Sequence, residues 1–123
     1  MDCIQVNGIR SYGYTGFLAA EQELGQWFEV DLGLWLDLTA AGQSDRIDDT
    51  LDYRQVIEQV KQLISTSKYA LLERLATAII EQLLQYSQIS QVKVRLTKVA
   101  APIPDFSGQI SIELTRSRPP SAP

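Results

Sequence analysis

Hydrophobic and polar positions alternate with period two from Gln26 to Leu38. Phe28, Val30, Leu32, Leu34, Leu36 and Leu38 share one face, and Trp27, Glu29, Asp31, Gly33, Trp35 and Asp37 share the other. That period predicts a long strand with its aliphatic face in the core. The opposite face, with Trp27 and Trp35, is too apolar for a simple solvated surface and suits cover by another chain. Residues 91–98 alternate in the same way, Val92, Val94 and Leu96 against Lys93, Arg95 and Thr97. So do Ile110, Ile112 and Leu114 against Ser111, Glu113 and Thr115. The run from Cys3 to Tyr14 reads as a fourth strand, and Asn7-Gly8 marks a bulge in it.

Between the strand pairs the period changes. Val56, Ile57, Val60, Leu63 and Ile64 follow a helix face, and Leu71, Leu72, Leu75, Ala76, Ile79, Ile80, Leu83 and Leu84 follow one more strictly. Asp49 or Thr50 is the expected cap of the first helix, and Ser65-Thr66-Ser67 separates the two. The order is ββααββ, an α+β fold with a four-stranded antiparallel sheet and two helices on one face. Residues 1–116 form a single domain, and 117–123 (SRPPSAP) are expected as a disordered tail. Four strands and two helices leave a sheet face and an edge uncovered, which homo-oligomerisation resolves.

Composition narrows the functional classes. The 123 residues, 45% hydrophobic and 21% charged, suit one globular domain. A net charge of −4 argues against nucleic acid, whose phosphates call for a basic face. No apolar run has the length of a membrane span, and the start MDCIQVNG lacks signal-peptide order, so the expected location is cytoplasmic. Cys3 is the only cysteine, which allows no internal disulfide. There is no histidine. A zinc site could draw only on Cys3 and carboxylates, and a His-based nucleophile relay is excluded, so no metal is expected.

Lys98 ends the inward face of its strand where an apolar residue is due. The ordinary reading is a snorkelling terminal lysine, and the functional one is a partly desolvated lysine acting as a base. Glu73, in LLERLA, is ordinarily a first-turn glutamate favoured by the helix dipole. Its functional use is to accept two hydrogen bonds from an amidine-like pair of N–H donors. Glu21 and Glu23 lie in LAAEQELGQ, ordinarily a solvated turn. Tyr53 follows DDTLD at a helix entrance, where tyrosine is ordinarily half-buried packing.

In combination these segments say more. YGYTGFLAAEQELGQWFEVDL, SDRIDDTLDY, LLERLA and KVRLTKVAAPIPDFSG, in this order and spacing, closely resemble the dihydroneopterin aldolase family over nearly the whole chain. The resemblance implies the tunnelling fold, with subunits arranged as staves of a tetrameric ring, two rings stacked into an octamer, and sites between neighbours. It implies that Glu73, helped by the Leu72 backbone, binds the N3–H and 2-amino group of a pterin. Tyr53 would reach in from the adjacent chain, Leu51 would offer backbone contacts, Lys98 would be the catalytic lysine, and Glu21 would contact the hydroxylated side chain. Relatives often have YGYHG where this chain has YGYTG, so any role of that histidine is vacant at Thr15.

The implied reaction needs no cofactor. In 7,8-dihydroneopterin the C6=N5 imine is an electron sink, so C1′–C2′ cleavage can proceed without a lysine Schiff base or zinc. Lys98, through a water, would take the 2′-hydroxyl proton, and Tyr53 would help return one to C1′. 6-Hydroxymethyl-7,8-dihydropterin and glycolaldehyde would leave, and readdition would epimerise C2′. Two rivals remain. An epimerase acting on the triphosphate needs a basic cluster, of which only Arg54 and Arg74 lie beside site positions. A non-catalytic pterin- or purine-binding homo-oligomer needs Glu73 but neither Lys98 nor Tyr53. The zinc-dependent relatives, GTP cyclohydrolase and pyruvoyl-tetrahydropterin synthase, are argued down by the missing histidines.

Overall fold

A computed structural model describes residues 1–119. Its strands are β1 (Asp2–Gly13), β2 (Gln26–Leu36), β3 (Gln91–Lys98) and β4 (Ile110–Ser117), paired antiparallel in the order β1-β2-β3-β4. Two long helices, α3 (Tyr53–Thr66) and α4 (Leu72–Leu83), follow two short ones, α1 (Ala19–Leu24) and α2 (Thr39–Ser44). This is the ββααββ arrangement of the tunnelling fold, with the long helices packed on one sheet face.

The inward alternation of β2 is buried throughout: Phe28, Val30, Leu32, Leu34 and Leu36 are at most 3% exposed. They meet Val92, Val94 and Leu96 across the sheet and Val56, Val60, Leu75 and Ile79 from the helices. Burial on this scale stabilises by roughly 1.5–3 kcal/mol per large side chain. The outer strands are less covered, and Ile4, Val6, Ile110, Ile112 and Leu114 are only half-buried. The β1–β2 register slips between Val6 and Ile9. Gly8 there has φ +79°, a conformation glycine adopts without penalty, and its N–H donates to Asp31 Oδ1 at 2.8 Å. The bulge expected at Asn7-Gly8 is present.

Three expectations are corrected. Asp49 lies in a 3₁₀ turn (Ile47–Asp49) and Thr50 just after it; the cap of α3 is Asp52, whose carboxylate accepts from the Arg54 N–H. Strand β2 stops at Leu36, because Leu38 turns to open α2. The tail begins later than residue 117: Ser117 closes β4, and one Arg118 nitrogen donates to the carbonyls of Leu84, Tyr86 and Ile89 at 2.6–2.9 Å. Residues 120–123 of the expected tail lie outside the described residues. Among the described residues no helix is long and apolar enough to cross a membrane.

Candidate active site

The chain from 19 to 24 forms α1, a short helix rather than a solvated turn. Glu23 on it is exposed, but Glu21 turns inward with its side chain 4% exposed. The reason is local. Glu21 is the third helical residue, and Oε1 reaches back to accept the Leu18 N–H at 3.2 Å, half of a capping box. Its other oxygen accepts from Lys98 Nζ at 2.6 Å and Gln26 Nε2 at 2.8 Å. Both carboxylate oxygens therefore have a donor.

Lys98 arrives at this carboxylate because β3 ends there, opposite Phe28. Its side chain is 15% exposed, so it does not simply snorkel to water. Burial alone would raise the Glu21 carboxyl, but hydrogen bonds from Lys98, Gln26 and the Leu18 N–H outweigh it and hold the group below its ordinary value. A cavity of about 190 Å³ opens beside the pair, lined by Leu18, Glu21, Leu24, Gln26, Ala100 and Pro102. A larger trough of about 320 Å³ lies on the other sheet face, among Asp31, Trp35, Lys93 and Arg95, away from this pair.

Gln26 was not among the residues singled out from sequence. It shares parity with Phe28 and Val30, so the inward alternation already marked it as a polar residue at a core position. Its amide oxygen is buried with no hydrogen-bond partner among the described residues. Such an orphan is costly unless something donates to it.

Glu73 occupies the first turn of α4, exposed to solvent, and among the described residues its carboxylate enters no ion pair. The helix begins at Leu71 without a side-chain cap, so its first N–H groups have no partner within the helix. Leu72 beside it is 7% exposed and Leu51 2%. Tyr53, the first residue of α3, is 52% exposed. The fold therefore brings Glu21 and Lys98 together. It leaves Glu73 and Tyr53 at the surface, and no hydrogen bond within the described chain joins them to the Lys98 pair.

Thr15 is wholly buried. Its hydroxyl oxygen accepts the Tyr69 N–H at 3.3 Å, and the Gly16 N–H donates to the Tyr69 carbonyl at 2.9 Å.

Fold and site together define a tunnelling-fold enzyme in which a lysine meets a buried carboxylate. Comparison makes this particular. The dihydroneopterin aldolase family model matches residues 4–115. A relative in Synechocystis sp. is 54% identical over 118 residues, covering 96% of this chain and all of its own. The dihydroneopterin aldolase of Streptococcus pyogenes serotype M1 is 45% identical over 119 residues, again 96% of this chain and all of that one. A crystal structure of a related Vibrio cholerae protein superimposes with a TM-score of 0.87 at 30% identity, covering 96% of this chain and 98% of that one. The chain belongs to the dihydroneopterin aldolase family, lyases of folate biosynthesis.

Proposed function

We propose that the chain cleaves the C1′–C2′ bond of 7,8-dihydroneopterin, releasing glycolaldehyde and 6-hydroxymethyl-7,8-dihydropterin. The observation that carries this reading is the largely buried Lys98–Glu21 pair at 2.6 Å, beside a cavity and a Gln26 oxygen without a partner among the described residues. Lys98, through a water, takes the 2′-hydroxyl proton as its amine gains charge, and the Glu21 carboxylate stabilises that charge. The C1′–C2′ electron pair moves into the C6=N5 imine. Tyr53 helps return a proton to C1′. Readdition of glycolaldehyde to the other face before release gives C2′ epimerisation.

Glu73 holds the ring. Its exposed carboxylate, without an ion pair among the described residues, and the uncapped N–H groups at Leu72 offer acceptors and donors to the edge of a pterin, while Leu51 contributes backbone contacts. Both guanidiniums near these positions are otherwise engaged, which favours the unphosphorylated substrate. Arg54 binds Asp52 through two hydrogen bonds of 2.9 Å. Arg74 binds Glu81 at 2.9 Å and stands 5.1 Å over the Tyr69 ring.

The separation of Tyr53 from the Lys98 pair supports a site shared between chains. Half-buried apolar residues on both edge strands, and exposed Tyr12, Tyr14 and Trp27 packed edge to face, suit a ring-shaped homo-oligomer, stacked as an octamer.

Incubation of purified protein with 7,8-dihydroneopterin tests the reading. Glycolaldehyde and 6-hydroxymethyl-7,8-dihydropterin should appear in equal amounts, and faster than any reaction of the triphosphate. Binding without glycolaldehyde would leave the non-catalytic oligomer, and preference for the triphosphate would leave the epimerase.

A further inference from the structure

We propose that the Thr15-Gly16 dipeptide is the spacer that sets the ring anchor, Glu73, at its distance from the proton-transfer pair, Glu21 and Lys98, with Thr15 acting as a positioning residue. The inference rests on the roles given above to those three side chains.

The dipeptide touches both halves of the site. On one flank it clamps Tyr69 from two sides, the Thr15 hydroxyl oxygen accepting its N–H at 3.3 Å and the Gly16 N–H donating to its carbonyl at 2.9 Å. Tyr69 lies four residues before Glu73. The bond from the Leu75 N–H to the Leu71 carbonyl at 3.3 Å holds the first turn of α4 together, and that turn opens at Leu71 without a side-chain cap. The clamp on Tyr69 ties that turn to the dipeptide. On the other flank Gly16 packs directly on the Glu21 side chain. A Cβ at Gly16 would stand 2.5 Å from Glu21 Cβ, 2.7 Å from Cδ and 2.9 Å from Oε1. The Gly16 carbonyl also accepts from Gln22 Nε2 at 2.8 Å, tying the dipeptide to α1.

A wholly buried threonine serves packing no better than valine, its isostere. Its hydroxyl is distinguished by the Tyr69 N–H, a part-buried donor that would lose this partner without it. A shift of either flank displaces C2′ from Lys98 without touching the ring edge that Glu73 recognises. Misplacement by about 1 Å is enough to cost roughly a hundredfold in rate.

The test uses the whole protein and two readouts. One is kcat on 7,8-dihydroneopterin. The other is affinity for guanine, a bicyclic ring with the same N–H and amino edge but no side chain to cleave. Thr15→Val should lower kcat by about ten- to a hundredfold while guanine affinity stays within about twofold of the parent. Amide exchange at Tyr69 should quicken by roughly tenfold, reporting the lost hydrogen bond itself. Thr15→Ser, which keeps the acceptor, should recover most of both losses. Gly16→Ala works from the other flank by pushing Glu21, and it carries the test should Thr15→Val fail to fold; it should show the same split.

Glu73→Gln is measured alongside. If it leaves guanine affinity unchanged, the anchor assignment fails and the spacer role falls with it. If Glu73→Gln weakens guanine but Thr15→Val keeps the parent kcat, the spacer role alone is overturned. The same holds if Thr15→Val loses kcat and guanine affinity in parallel and serine rescues neither.

Discussion

Two glutamates separated by 52 positions sit in opposite circumstances. Glu21 is buried and accepts three hydrogen bonds from its own chain, while Glu73 stands exposed with no ion pair among the described residues. The first carboxylate is arranged before any ligand arrives, and its work is to hold a lysine. The second is left open, so its bonding capacity is available to something from outside. Prearrangement belongs where charge moves and vacancy belongs where a ring must be recognised.

The strongest test of that contrast removes the lysine. Lys98→Met keeps the stem and deletes the amine, and turnover should fall about 10²- to 10⁴-fold with product affinity retained. Turnover within a few-fold of the parent would reduce Lys98 to an ordinary strand terminus.

Next comes the shared site. Glu73→Ala and Tyr53→Ala chains, each severely inactive alone, are co-expressed with different tags and purified through both. Interfaces pairing an intact Glu73 with an intact Tyr53 should restore activity well above either parent variant. Mixed oligomers as silent as the parents would assign each site to a single chain.

The two carboxylates then separate by signature. Glu73→Gln should weaken pterin binding about ten- to a hundredfold, the worth of a charge-assisted pair, with the melting temperature unchanged. Glu21→Gln leaves Lys98 beside a neutral amide and should lower stability by up to about 3 kcal/mol as well as turnover. Thermal melts and calorimetry on both variants read the difference; equal melting temperatures would erase the contrast.

The pH dependence of stability is a smaller effect. Because the folded Glu21 carboxyl lies below its ordinary 4.5, its stabilisation is complete above that value and is lost as pH falls through the folded one. Acid melts of Glu21→Gln should accordingly be shallower than those of the parent below about pH 4.5. The smallest effect expected is none: dialysis against a strong chelator should leave turnover intact. Loss reversed by a divalent ion would overturn the reaction scheme.

How much of this the sequence disclosed follows from the range of each interaction. Strands β2 and β3 and helix α4 repeat their period over eight or more residues, so their faces were readable directly. The cap of α3 was not, because Asp48, Asp49, Thr50 and Asp52 are all capping types within five positions, and tertiary packing of Leu51 decides among them. Helix α1 carries leucine at its cap position, so the usual Ser or Thr signal is missing, and Glu21 read as solvated. Lys98 was conspicuous by parity. Its partner was not, since the two lie 77 positions apart and meet only after the sheet has formed. Gln26 carried the same parity signal as Lys98, but a polar residue opening a strand reads as its solvated end.

The Arg118 guanidinium, spread over three carbonyls in the turn leaving α4, has a bearing on synthesis. A ribosome delivers α3, α4 and the first three strands well before residue 118. Until then the carbonyls of Leu84, Tyr86 and Ile89 lack this donor. The final fastening of the α4–β3 turn thus waits on the synthesis of residue 118. A nascent chain halted at Thr115 would hold nearly the whole core, with that corner kept only by its own backbone bonds, such as Tyr86 N–H to Leu83 and Ile89 N–H to Tyr86, and more open to proteases than in the finished chain.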